Sequence, residues 1–409
     1  MSVPTPARIR LFDTLAGAKV PFVPRGDEVK LYVCGVTPYD TSHLGHGFVN
    51  AAFDVLLRYL NYLGHRVRYV QNITDVDDPL FDKAQVLGVE SAALAREQTE
   101  QYLEDMKALN VLPADIYPRA SQEIGRMIEL VQTLLDAGLA YESAGRIYFS
   151  VAKDPEFGKL SKLDRTEMTE LARERGGDPD DPRRRDPLDF VLWRPGRDGE
   201  PTFESPWGKG LPGWHIECSA MSLGYLGAPL DIHGGGTDLI FPHHECEVAQ
   251  SEGVCSARPF VKIWMHSGMV YLDGEKMSKS LGNMVFVGDL VKEHGSDAVR
   301  LYLAGCHYRD DLFYDRQALE SAGQLAKGLA ASAGRSGGVQ ESDGINTEAF
   351  RARFEERMSD DLDTPAAIGV LIELSEAIDA VSSSGRLTQA GQDLLRELGA
   401  VLGLRLSEA

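Results

Sequence analysis

The sequence predicts an α/β fold with a doubly wound, Rossmann-like parallel sheet, broken by an insertion and followed by a helical bundle. Three observations predict it. Short β-branched and aromatic runs alternate with segments of helical period near the N-terminus, and again between about residues 230 and 303. A stretch rich in charge, Gly and Pro, over about 142–200, interrupts that alternation. Beyond about residue 311 the apolar spacing is helical throughout. The expected organisation is therefore a catalytic domain over 1–310, with an insertion at about 115–205, and a helical bundle over 311–409.

The elements follow in order. Val29-Lys30-Leu31-Tyr32-Val33-Cys34 reads as a strand that ends at Gly35. A loop through Gly47 leads into a helix over 48–63, stopped by Gly64. A second strand covers 67–73, and strand, helix, strand in that order is a βαβ unit. Helices are expected over 93–112 and 124–137. The α/β pattern resumes with Leu230-Asp231-Ile232-His233 and with Val261-Lys262-Ile263-Trp264-Met265-His266, then helices over 287–294 and 297–303. Residues 334–344 and 382–385 read as linkers between the C-terminal helices.

Composition narrows the function. Of 409 residues, 43% are hydrophobic and 25% charged, which excludes a disordered or collagen-like chain. Lys plus Arg is 42 and Asp plus Glu is 62, a net charge of −20, so no general attraction to phosphate backbones is expected. No apolar run is long enough to span a membrane, and the first residues lack the pattern of a secretion signal, so a cytoplasmic, non-membrane protein is expected. The five cysteines, at 34, 218, 246, 255 and 306, are odd in number and widely spaced. That pattern fits free thiols or metal ligands better than a disulfide framework.

Four constellations carry chemistry. His43-Leu44-Gly45-His46 follows the first strand and precedes a helix, where outward N–H groups suit a polyphosphate. Lys276-Met277-Ser278-Lys279-Ser280 places two lysines in a Gly-flanked loop that can cover developing charge on a triphosphate. Gly234-Gly235-Gly236-Thr237-Asp238 follows a strand end, where glycines admit close backbone approach and Asp238 can accept from a ribose or an amine. Finally Cys34, Cys218, His243 and Glu247 offer two thiolates, an imidazole and a carboxylate, a donor set that suits Zn²⁺. His243 and Glu247 are spaced i, i+4 and share a face on a helix. Cys246, at i+3 from His243, competes for the place of Glu247.

Together with Asn72-Ile73-Thr74-Asp75-Val76-Asp77-Asp78 and Gly213 to Met221, these motifs resemble the cysteine-activating branch of the class I aminoacyl-tRNA synthetases. That branch contains cysteinyl-tRNA synthetase and the shorter mycothiol cysteine ligase, which joins cysteine to the amine of a glucosaminyl-inositol. The resemblance implies a Rossmann-like class I synthetase catalytic domain and an ATP-dependent activation of L-cysteine to cysteinyl adenylate. It implies one Zn²⁺ per chain on Cys34, Cys218, His243 and Glu247. Cysteine contacts fall on Thr74, Trp214, His233 and Asp238. ATP contacts fall on His43, His46, Gly235, Asp238, Lys276 and Lys279, with His43, His46, Lys276 and Lys279 catalytic and Mg²⁺ expected beside the nucleotide. A monomer is expected.

Two acceptors of the cysteinyl group stay open. Thr37-Pro38-Tyr39-Asp40, the stretches Glu174 to Pro179 and Arg185 to Asp189, the −20 balance and a C-terminal segment without an expected anticodon-reading domain resemble the mycothiol ligase. Glu247, Ser278 to Asn283 and Glu217 to Met221 resemble the tRNA enzyme. The sequence reading prefers the amino-sugar amine and keeps tRNA as the alternative acceptor. A silent cysteine-binding paralogue is a third reading, disfavoured because every expected ATP and zinc position is filled.

Overall fold

The computed structural model describes residues 9–40, 42–272, 274–276, 284–335, 344–386 and 388–407. The chain opens with an antiparallel hairpin, β1 (Arg10–Asp13) and β2 (Ala18–Pro21). Then come β3 (Glu28–Val36), α1 (Leu44–Tyr62) and β4 (Arg66–Ile73), the βαβ unit that the sequence predicts. Helices α2 (Asp78–Leu87), α3 (Ser91–Ala108) and α4 (Ile124–Asp136) follow. The inserted segment folds around an antiparallel sheet of β5 (Ala140–Ser143), β6 (Arg146–Phe149), β7 (Phe190–Pro195) and β8 (Gly210–Pro212), with α5 (Arg165–Glu174) between β6 and β7. The chain then returns through α6 (Trp214–Leu226), β9 (Leu230–Gly236), α7 (Glu245–Val254) and β10 (Val261–Ser267).

A small three-stranded sheet follows, made of β11 (Val270–Leu272), β12 (Glu275–Lys276) and β13 (Leu312–Phe313), with α8 (Val287–His294) and α9 (Ser296–Ala304) inside that span. Four helices close the chain: α10 (Arg316–Gly334), α11 (Thr347–Ser359), α12 (Thr364–Ser383) and α13 (Gln389–Val401). No helix among the described residues is long and apolar enough to cross a membrane.

The central sheet has the order β10-β9-β3-β4 and all its neighbours are parallel. Every residue of β9 is buried, as expected of a strand covered on both faces. From β3 the chain crosses to β4 on one side and later returns to β9 on the other. The crevice at the carboxyl ends of β3 and β9 is therefore the topological switch point, where open α/β sheets bind ligands.

Two helix boundaries differ from expectation by four residues: α3 ends at Ala108 instead of near Leu112, and α1 starts early. Helix α1 begins at Leu44, with His43 as its N-cap, instead of at Phe48. Its first turn keeps two glycines because bulk is excluded there. A Cβ on Gly45 would lie 2.8 Å from the His43 ring, and one on Gly47 would lie 2.8 Å from Val287 of α8.

The C-terminal helices share a core with the sheet. Leu31 and Val33 of β3, Phe53, Leu56 and Leu60 of α1, and Phe354, Leu371 and Leu395 of the bundle belong to one cluster. Each such side chain contributes about 1.5–3 kcal/mol by leaving water. A buried ion pair adds direction to the packing: Arg300 of α9 lies 2.6 Å from Asp54 of α1 and donates to the Leu402 carbonyl at 2.7 Å.

Candidate active site

The site is built where β3 runs out. Gly35 follows Cys34 because nothing larger fits: a Cβ there would sit 1.7 Å from the carbonyl oxygen of Asn72. The Gly35 N–H instead donates to Asn72 Oδ1 at 2.9 Å, and the β3–β4 register slips between Val33 and Val36. Cys34 is thereby held near the carboxyl end of β3, close to α6 and α7. Cys218 comes from α6 and Glu247 from α7, both buried. His243 arrives from the turn that precedes α7, which is kinked at Phe241 (φ −135°, ψ 136°).

These four meet. Cys34 Sγ lies 3.8 Å from Cys218 Sγ and 3.7 Å from Glu247 Oε1, and His243 Nε2 lies 3.1 Å from Glu247 Oε1. One ligand atom from each falls within 4.8 Å of all the others. Tetrahedral zinc with bonds of about 2.0–2.3 Å requires ligand separations of about 3.3–3.8 Å, so the spacing fits. The electrostatics fit too. Burial pushes the Cys34 thiol and the Glu247 carboxyl well above their usual ranges. Burial also raises Cys218, but its hydrogen bond with Cys34 and the charge of His243 outweigh it, bringing this thiol down to about 7. A buried thiolate, thiol and carboxyl in one cluster need a cation to stay ionised together. His243 is oriented from behind: its Nδ1 lies 3.1 Å from His215 Nδ1, and its ring stacks on Trp214 at 4.2 Å.

A second ring of histidines, not anticipated from sequence except for His233, crowds the same cluster. His244 Nε2 approaches Cys34 Sγ at 3.2 Å, His244 Nδ1 meets His266 Nε2 at 2.7 Å, and His266 Nδ1 meets Thr14 Oγ1 at 2.7 Å. Burial holds His233 and His244 well below their usual range and His266 down to about 3. His233, expected against the substrate amino acid, lies 3.6 Å from both Cys34 Sγ and Glu247 Oε2. Cys34, His233, His244 and Glu247 thus form a second set within metal-binding distance. Two thiolates favour the first set for zinc. Cys246, weighed as a competitor, is buried but belongs to neither set among the described residues.

Next to this cluster is a cavity of about 270 Å³ bordered by Cys34, Gly35, His43, His46, Asn50, Gly236, Asp238 and Gly268. The His43 and His46 rings stack at 3.8 Å. Gly236, rather than the expected Gly235, borders the cavity. Gly235 is turned toward the protein, where a Cβ would meet Leu239 at 2.8 Å. Asp238 stands on the turn after β9, as expected. Thr74 is buried and accepts from Asn72 Nδ2 at 2.9 Å, with no place on the cavity wall. Lys276 closes β12 opposite Tyr271, and Lys279 falls outside the described residues.

Residues 22–324 match the family model of the tRNA synthetases class I (C) catalytic domain, and residues 353–407 match a DALR domain. The chain belongs to the class I (C) tRNA synthetase family. A cysteine--tRNA ligase of Dehalococcoides mccartyi is 44% identical over 97% of this chain and 86% of its own length. An L-cysteine:1D-myo-inositol 2-amino-2-deoxy-alpha-D-glucopyranoside ligase of Streptosporangium roseum is 43% identical over 98% of this chain and 96% of its own. Among solved structures, a Mycobacterium tuberculosis methionyl-tRNA synthetase in complex with methionyl-adenylate superposes with a TM-score of 0.63 at 18% identity, covering 92% of this chain and 90% of that one. That likeness shows the class I fold, as the sequence predicts.

Proposed function

We propose that this ligase activates L-cysteine with ATP, releasing pyrophosphate, and passes the cysteinyl group to the 3′ end of a tRNA. This reverses the preference drawn from sequence, which favoured an amino-sugar amine. The observation that carries the reversal is Glu247: its carboxylate reaches both His243 and Cys34 and completes a four-donor set. That carboxylate is the feature by which the sequence resembles cysteinyl-tRNA synthetase and not the mycothiol ligase. The relatives support it, since most of the similar curated proteins are cysteine--tRNA ligases. One percentage point of identity does not separate the two kinds of relative. The amino-sugar reading retains Thr37-Pro38-Tyr39-Asp40 in its support.

In this reading Cys34, Cys218, His243 and Glu247 hold Zn²⁺. When bound, the ion offers the substrate sulfur a thiolate bond that a serine hydroxyl matches poorly. Trp214 and Asp238 flank the amino acid, with His233 and Thr74 behind them. The substrate carboxylate attacks the α-phosphorus of ATP, the bond to the β-phosphate oxygen breaks, and pyrophosphate leaves. His43 and His46, stacked at the N-terminus of α1, face that phosphate, with Lys276 and Lys279 assigned to the other side. Most of the acceleration comes from positioning and charge stabilisation, because the chemistry needs little covalent help.

The test is in two steps. The purified protein should exchange pyrophosphate into ATP when given cysteine, without RNA. It should then form cysteinyl-tRNA when offered tRNA and glucosaminyl-inositol in parallel. Product on the amino sugar alone would restore the other acceptor, and no exchange with zinc supplied would point to a silent paralogue.

A further inference from the structure

Asn50 lies on α1 one turn past His46, is 4% exposed, and borders the cavity of about 270 Å³ beside the donor cluster. The direction of its amide is settled by the backbone. Nδ2 donates to the His46 carbonyl at 2.8 Å, and a carbonyl oxygen can only accept. Oδ1 is therefore the atom that accepts from Gln71 Nε2 of β4 at 3.1 Å and from the Tyr102 hydroxyl of α3 at 2.9 Å. The Tyr102 hydroxyl also lies 3.1 Å from Gln71 Oε1, which closes the three side chains into a ring. Gln71 and Tyr102 are both buried.

This ring occupies Asn50 Oδ1 but uses only one of the two hydrogens on Nδ2. Among the described residues the second hydrogen has no acceptor. A buried donor without a partner is unfavourable, and one on a cavity wall is satisfied by what the cavity holds. The rest of that wall suits a flat ring. Val49, Met269 and Val270 border the same cavity and offer it apolar contact. His43 and His46, assigned above to the phosphate, stand at the N-terminus of α1. Asn50 comes four residues after His46, about 6 Å of helix rise. The cavity thus has a phosphate end and, farther along α1, an apolar stretch with one amide donor.

We propose that Asn50 donates its second amide hydrogen to a ring nitrogen of the ATP adenine, and that Gln71 and Tyr102 are positioning residues that hold the amide in that orientation. The inference rests on the adenylate-forming reading above and adds the residue that meets the base. Because Oδ1 is already occupied, this amide can serve a ring nitrogen but not an N–H of a base.

The experiment measures pyrophosphate exchange with cysteine, using ATP and its 1-deaza, 3-deaza and 7-deaza analogues, on the unmodified protein, Asn50→Ala and Tyr102→Phe. Equilibrium binding of each nucleotide without cysteine is measured alongside. With the unmodified protein at least one analogue should show a KM and a Kd raised about five- to tenfold, the loss of one neutral hydrogen bond. Asn50→Ala should raise both constants for ATP by the same factor, show no further penalty with that analogue, and leave KM for cysteine and zinc content within about twofold. Tyr102→Phe, which changes little volume, should raise KM for ATP about threefold and shrink the analogue's penalty, so the proposal is decided even where Asn50→Ala does not fold. A ring that serves only the fold would lower the urea midpoint and leave KM for ATP unchanged in both variants. That result overturns the proposal, as does an analogue penalty that persists in full in Asn50→Ala, or the absence of a penalty for all three analogues. Absence of exchange by the unmodified protein, with zinc supplied, instead refutes the reading on which the proposal rests.

Discussion

Replacing Cys218 by serine probes the donor cluster at its most informative atom. The Cys218 sulfur lies 3.8 Å from Cys34 Sγ, and its thiol is already brought down to about 7 by the hydrogen bond with Cys34 and by His243. A serine hydroxyl stays protonated there and is a hard, weak donor for zinc. Structural zinc sites bind with about 10–16 kcal/mol over four ligands, so losing one should cost about 3 kcal/mol, roughly a hundredfold in affinity. The substitution changes little volume, so the fold should persist. Metal content would be measured after dialysis against buffered free zinc, together with pyrophosphate exchange on cysteine and on serine. A site that recognises one strong contact rejects an analogue lacking it by about 10⁴ or more. The expected result is weaker zinc binding and a cysteine-to-serine preference that falls to about a hundredfold or less. Unchanged zinc affinity together with an unchanged preference would refute the assignment of Cys218 as a ligand.

Three further outcomes follow from the structure. Gly35→Ala should lose metal and about 3 kcal/mol of stability in urea unfolding, because its Cβ would lie 1.7 Å from the Asn72 carbonyl; a stable, zinc-loaded variant would contradict the role given to Gly35. Burial pushes the Asp77 carboxyl up to about 6, with the Thr37 hydrogen bond opposing it, so the folded state holds a proton that the unfolded state has released. Stability from this group is present below pH about 4 and falls as pH rises to about 6, by up to about 3 kcal/mol. Asp77→Asn should therefore gain stability relative to the parent at pH 8 and not at pH 4, and a pH-independent difference in urea unfolding would count against it. Arg300→Met removes one of the two arginine partners of Asp54, leaving Arg58 at 2.8 Å, and should cost about 2 kcal/mol; a loss under about 0.5 kcal/mol in the same assay would show that the buried pair does not hold α9 to α1.

The strands that carry the site were legible because buried parallel strands leave contiguous β-branched runs, and each of the two ends in residues with obvious chemistry, Cys34-Gly35 and His233-Gly234. The four candidate donors stood out in the sequence because soft thiols and an i, i+4 His–Glu pair make a donor set that suits zinc. His244 and His266 were not, since one hides beside His243 in a tandem pair and the other is joined to it only through the parallel pairing of β10 on β9. The start of α1 was missed because glycines usually mark loops. Here Gly45 and Gly47 mark close packing inside a helix. The inserted sheet was invisible as a sheet. Its strands are three to six residues long and lie between arginine- and proline-rich turns, so no period-2 pattern accumulates. The acceptor was the least legible feature, because Thr37-Pro38-Tyr39-Asp40 and Glu247 point to different relatives and net charge averages over the whole surface.

The central claim is that two sulfurs, one imidazole and one carboxylate of this chain hold the ion that recognises the substrate's sulfur. X-ray absorption at the zinc edge, on the purified protein with and without cysteine, tests it most directly. Two sulfurs at about 2.3 Å with nitrogen and oxygen completing the shell, and a third sulfur when cysteine is added, is the result this account predicts. A shell of one sulfur and two imidazoles, matching Cys34, His233, His244 and Glu247, or a shell that cysteine leaves unchanged, would contradict it.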